Sequence, residues 1–113
     1  MNGAPPPAPK RGQHRRFSDR PFGETLTALM AETGFTYRAL AERTGLSAGY
    51  LNHIVHGNRP VPSDDVIAKL AEALGVEPEH FREHRIRVIT ERLEQMPDLA
   101  DRLYRRLAEE RER

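Results

Sequence analysis

Two pairs of histidines stand at spacings that bring both rings to one side of a helix: His53 and His56, three apart, and His80 and His84, four apart. A pair of this kind is half of a helical metal site. Neither pair has an acidic or thiolate partner at a recurring spacing, and the chain contains no cysteine. The histidines are therefore expected to be surface or hydrogen-bonding groups, with no metal and no cofactor. There is no nucleophile motif, no glycine-rich phosphate cradle and no HExxH pair, so the chain is not expected to be an enzyme. What remains is ionic chemistry. Lys10, Arg11, Arg15, Arg16 and Arg20 face only Asp19 within residues 1–20, a cluster that either attracts a polyanion by counterion release or merely keeps a tail in solution.

Beyond that cluster the balance reverses. Residues 21–80 carry Arg38, Arg43, Arg59 and Lys69 against Glu24, Glu32, Glu42, Asp64, Asp65, Glu72, Glu77 and Glu79, and residues 81–113 are close to neutral. The 113 residues suffice for one compact domain with appendages. No apolar run approaches the ~18 residues of a membrane helix, and the basic, proline-rich start lacks an apolar signal core. A cytoplasmic, nucleoid-associated protein with no membrane partner is expected.

The elements that position the polar residues are legible from helical spacing and caps. Residues 1–16, with Pro5, Pro6, Pro7 and Pro9, form an extended or disordered arm, drawn to residue 18 as a segment. A first helix runs from about Asp19 or Arg20 to Thr33, with Pro21 in its first turn, Phe22, Leu26, Leu29 and Met30 inward and Gly34 as its stop. Thr36 caps a second helix with Leu40 and Ala41 inward. Ser47 caps a third with Leu51, Ile54 and Val55 inward. After the loop of Gly57, Asn58, Arg59, Pro60 and Pro62, Ser63 caps a fourth helix that Gly75 ends. Glu77 and Pro78 are predicted to open a single fifth helix, stapled by Val76 and Phe81 and continuing through Val88, Ile89 and Leu93 to Pro97. A last helix starts near Asp98, with Leu99, Leu103 and Leu107 at steps of four. Nothing alternates like a strand, and the class is all-α.

In residues 36–57, TYRALAERTGLSAGYLNHIVHG, small Ala41 permits close approach, Gly45 can take a positive φ, and Leu51 plugs the following helix into a core. This is the pattern of a helix-turn-helix. Together with the loop NRPVP and the helix VIAKLAEALGV, it resembles the lambda-repressor and Cro type of regulator, the xenobiotic response element family, over residues 22–81 or so. The resemblance implies a five-helix bundle over residues 19–81, a C-terminal helical extension over 82–113, and a third helix lying in the major groove of double-stranded DNA.

Transferred by position, the resemblance makes Ala48, Gly49, Asn52 and His53 the outward face of the reading helix, residues 47–56, with Ser47 at its start. It also puts Tyr37, Arg38, His56, Asn58 and Arg59 near phosphate. Asn52 could pair with adenine, His53 could donate to guanine N7, and Ala48 could touch a thymine methyl. The chain departs from the family pattern at Tyr37, where relatives often carry glutamine, and at Ala48 and Gly49, where polar readers are usual. Direct readout is therefore expected to be sparse, leaving affinity to Arg11, Arg15 and Arg16 of the arm and to a homodimer on a two-fold operator. The C-terminal helices either pack on their own subunit or pair with a second one. The expected function is a DNA-binding transcriptional regulator, a repressor. Two rivals are a protein-interaction adaptor of antitoxin-like kind with an unidentified protein partner, suggested by the acidic middle, and a nucleoid-type binder of low sequence preference.

Overall fold

Hydroxyl caps and glycines divide the chain into helices where local chemistry dictates. A computed structural model describes residues 17–112 as six α-helices: α1 (Phe22–Thr33), α2 (Tyr37–Thr44), α3 (Ala48–Val55), α4 (Asp64–Leu74), α5 (Arg82–Glu94) and α6 (Pro97–Arg111). A 3-10 turn, Pro78–His80, lies between α4 and α5, and the described residues contain no strand. The all-α class is borne out. Thr36, Ser47 and Ser63 each accept a hydrogen bond from the backbone N–H three residues on, at 3.0, 3.0 and 3.4 Å, which satisfies a donor the helix cannot.

Two boundaries differ from the sequence expectation. The first helix begins at Phe22, with Pro21 at the cap position in an extended conformation (φ −56°, ψ 154°) and not in the first turn. Pro21 has no side-chain acceptor to offer, and the cap comes from the far end of the chain, where Glu83 Oε2 accepts from the Phe22 N–H at 3.1 Å. The residues before it are also held. Ser18 N–H donates to the His80 carbonyl at 3.0 Å, Arg85 donates to the Ser18 carbonyl at 2.7 Å, and its guanidinium stacks on the Phe17 ring.

The second difference is that the single fifth helix expected from Glu77 is split. Phe81 adopts an extended backbone (φ −86°, ψ 127°) between the 3-10 turn and α5. That break drives its ring into the core, fully buried and 4.8 Å from the Phe22 ring. Burial of a phenylalanine is worth about 1.5–3 kcal/mol, which offsets backbone hydrogen bonds, ~0.5–1.5 kcal/mol each, that the break forgoes.

Every residue of the buried core lies between Phe22 and Phe81: Leu26 and Leu29 from α1, Leu40 from α2, Leu51 and Ile54 from α3, and Ile67, Leu70 and Leu74 from α4 join the two phenylalanines. Neither α5 nor α6 buries a side chain. They extend from the bundle, and the described residues span 57 Å against 30 and 28 Å across.

Candidate nucleic-acid interface

The turn between α2 and α3 requires a glycine. Gly45 sits at φ +80°, where a Cβ is strained, and its N–H closes α2 onto the Ala41 carbonyl at 2.8 Å. The next two residues bring the chain to Ser47, whose cap starts α3 almost at once. Leu51 and Ile54 anchor α3 in the core, which decides what the helix shows to solvent. Ala48, Gly49, Asn52 and His53 are all exposed, and at 100° per residue they share one face. A second contact fixes the depth of α3. Gly23 of α1 lies so close to the Val55 carbonyl that any Cβ would collide with it. Gly49 is different, because nothing of the protein lies within 4 Å of the Cβ position there.

The expected phosphate-side residues take distinct places. Tyr37 is half-buried, its ring packed against the core, while Arg38 is exposed. The cap of α2 serves the Ala39 N–H, so the first N–H groups of that helix have no intrahelical acceptor. His56 closes α3, and its ring Nδ1 donates to the Asn52 carbonyl at 2.8 Å. That bond assigns the hydrogen to Nδ1 and leaves Nε2 outward, so the neutral ring accepts and only the protonated ring donates to an anion. Asn58 and Arg59 are exposed on the following loop, which the Asn58 N–H ties to the His53 carbonyl at 2.9 Å. Arg11, Arg15 and Arg16 lie outside the described residues.

Charge is segregated by element. Between Gly34 and Ser63 the chain carries Arg38, Arg43 and Arg59 against Glu42 alone, and the other acidic groups of residues 21–80 belong to α1, α4 and the segment after α4. The acidic sum over the domain therefore hides a basic stretch from α2 through the loop after α3, which sorting the charges by element could have found. The histidine pairs gather no ligand set: the described residues contain no group of three His, Cys, Asp or Glu arranged for a metal ion. No helix among them is long and apolar enough to cross a membrane.

A family model described as a helix-turn-helix domain matches residues 21–84. The chain belongs to the helix-turn-helix domain family. The resemblance to lambda-repressor and Cro-type regulators is thereby borne out. Among relatives, the HTH-type transcriptional repressor RghR of Bacillus subtilis (strain 168) is 46% identical over 55 residues, covering 49% of this chain and 41% of RghR. The match thus spans about two fifths of that relative's length. Among solved structures, the clp gene regulator ClgR of Corynebacterium glutamicum aligns at 28% identity over 69% of this chain and 87% of ClgR, with a TM-score of 0.47. A SinR/SinI protein complex aligns at 19% identity over 76% of this chain and 97% of the matched one, also at 0.47.

Within this helix-turn-helix, sequence reasoning missed residues whose contacts are remote in the chain. Glu83 holds the start of α1, and Arg87 reaches from α5 to the loop after α3. Neither has a local signal, since the partners lie 61 and 25 positions away.

Proposed function

We propose that this helix-turn-helix protein is a sequence-specific DNA-binding transcriptional regulator, a repressor that binds a two-fold operator as a homodimer. The observation that carries it is the exposed face of Ala48, Gly49, Asn52 and His53, on a helix whose opposite side is locked into the core. Asn52 and His53 read base edges, Ala48 and Gly49 allow close approach, and Arg38, Asn58 and Arg59 meet phosphates, with His56 beside them. Tyr37 contributes only its hydroxyl, and Ser47 serves as the cap. Arg11, Arg15 and Arg16 add sequence-independent attraction from the arm. That the relative RghR is named a transcriptional repressor supports the sign of regulation.

A dimer is supported by the apolar residues that α5 and α6 leave in solvent, among them Ile86, Ile89, Tyr104 and Leu107, each more than half exposed. Helices of this length are marginal in water without a packed face. A second copy suits α6 by its own pattern. In an antiparallel pairing centred on Leu103, Leu99 meets Leu107 of the other copy, twice by symmetry.

The test is retention of randomised duplexes by the intact protein at two salt concentrations, followed by sequencing. A two-fold motif that persists at the higher salt supports a dimeric specific regulator. Retention without a motif indicates a low-specificity binder, and no retention at either salt indicates a protein-interaction adaptor, the second reading that the exposed faces of α5 and α6 favour.

A further inference from the structure

The loop that follows the reading helix is held by one side chain from a different part of the chain. Residues 59–62 make no backbone–backbone hydrogen bond as donor or acceptor among the described residues, and Pro60 and Pro62 have no N–H to give. The neighbouring backbone bonds are Asn58 N–H to the His53 carbonyl before the gap and Ile67 N–H to the Ser63 carbonyl after it, each 2.9 Å. Arg87 of α5 bridges the far side of this gap. It donates to the Pro62 carbonyl at 2.7 Å, to the Asp64 carboxylate at 3.0 Å and, at 3.4 Å, to the Val61 carbonyl.

The consequence is a loop with one fixed end and one offered end. Pro62 is buried and Val61 packs against the core, whereas Asn58 and Arg59 are exposed. With no ladder of its own, the loop takes its path from where Arg87 pins the Val61 and Pro62 carbonyls. The planar guanidinium presents several N–H donors in a rigid fork, which lets one side chain serve three oxygens; a lysine at the same place is a single point donor. Asp64 neutralises Arg87, so the contribution of Arg87 is geometric and not an added positive charge for DNA.

We infer that Arg87 is a positioning residue for nucleic-acid binding: it holds the loop so that Arg59 meets a phosphate, without touching the duplex itself. This rests on the DNA-binding function proposed above. It also makes α5, whose exposed face is offered to a second copy, the helix that sets the loop beside the reading helix.

The experiment measures binding of the intact protein to the randomised duplex pool across a salt series, for the wild type, Arg87→Lys, Arg59→Ala and the double variant Arg59→Ala with Arg87→Lys. Arg87→Lys keeps the charge and removes the fork. It is expected to weaken binding roughly three- to tenfold, the scale of one hydrogen bond. The slope of log affinity against log salt should become shallower by about 0.9, the value of one phosphate contact. Arg59→Ala should do the same, and the double variant should be no weaker than Arg59→Ala alone, because both changes remove the same contact.

A merely structural role would lower the thermal midpoint of Arg87→Lys and reduce the active fraction while leaving the salt slope of the folded protein unchanged. That result, or full additivity in the double variant, would overturn the inference. A wild type that retains no duplex overturns the DNA-binding function itself, and with it this role for Arg87.

Discussion

Glu83 accepts a hydrogen bond from the backbone N–H of Phe22 at 3.1 Å, across 61 positions of sequence. The side chain is mostly sheltered, and it also meets Arg82 at 3.3 Å. The first turn of α5 therefore caps the first turn of α1, and the apolar stacking of Phe22 on Phe81 lies beside this polar clasp.

Removal of the clasp should cost stability on the scale of a helix cap. Glu83→Ala is expected to lower the free energy of unfolding by about 1 kcal/mol, read as a shift of the urea midpoint at unchanged slope. A variant that unfolds with the wild type would show that the Phe22 N–H is served equally well by water.

Two glycines inside helices should respond in opposite directions. At Gly23 an added Cβ collides with the Val55 carbonyl, so Gly23→Ala should destabilise by roughly 1–3 kcal/mol as α1 is pushed off α3. At Gly49 the same methyl meets nothing of the protein, so Gly49→Ala should stabilise by about 0.5–1 kcal/mol through helix propensity. On the proposed reading face, that methyl should also weaken duplex retention. Thermal melts of the two variants, with retention measured on Gly49→Ala, check both signs.

Asn52 and His53 are exposed and support no part of the core. The double variant Asn52→Ala with His53→Ala should melt within about 0.5 kcal/mol of the wild type while losing the motif recovered from randomised duplexes. Recovery of the same motif by the double variant would remove these two residues from the reading face.

Acid should release one of the contacts around α5. The Arg87 hydrogen bond, with further help from the nearby charges of Arg87 and His84, holds the Asp64 carboxyl below its ordinary value of 3.8, against a smaller opposing effect of burial. A carboxyl lowered on folding stabilises the protein above its unfolded-state value, and that contribution disappears as pH falls through the lowered folded-state value. The gap in urea midpoint between wild type and Asp64→Asn should therefore be full at neutral pH, begin to close below about 3.8, and vanish once the carboxyl is protonated. A gap independent of pH across that range would show that the asparagine acts through the helix start and not through Arg87.

Leu103 lies at the centre of the α6 leucine series. If α6 pairs with itself, Leu103→Lys should shift sedimentation from a concentration-dependent dimer to a monomer, because two like charges would face each other on the symmetry axis. The change should leave the melting of the bundle unaltered, since the core residues lie between Phe22 and Phe81. A monomeric wild type would refute the dimer.

Whatever depends on near neighbours is legible in the amino-acid order. Thr36, Ser47 and Ser63 cap the helices they precede, Gly34, Gly45 and Gly75 end them in the left-handed conformation, and the apolar spacing of Leu40, Leu51 and Leu70 marks the inward faces. These are interactions over three or four residues, so composition and spacing carry them directly. The outward placement of Asn52 and His53 follows, because a helix with Leu51 and Ile54 buried has only one side left to show.

Features that depend on residues distant in the chain are set only once the chain has folded. Local signals around Pro78 suggest one helix, yet the Phe81 ring is buried against Phe22 and the helix is broken there. Pro21 looks like a first-turn proline, but the acceptor that defines the start of α1 is carried by Glu83. The loop of Asn58 and Arg59 carries no local sign of Arg87, and only the fold brings that side chain to the Val61 and Pro62 carbonyls. A side chain has no way to announce a partner that the chain must fold to deliver.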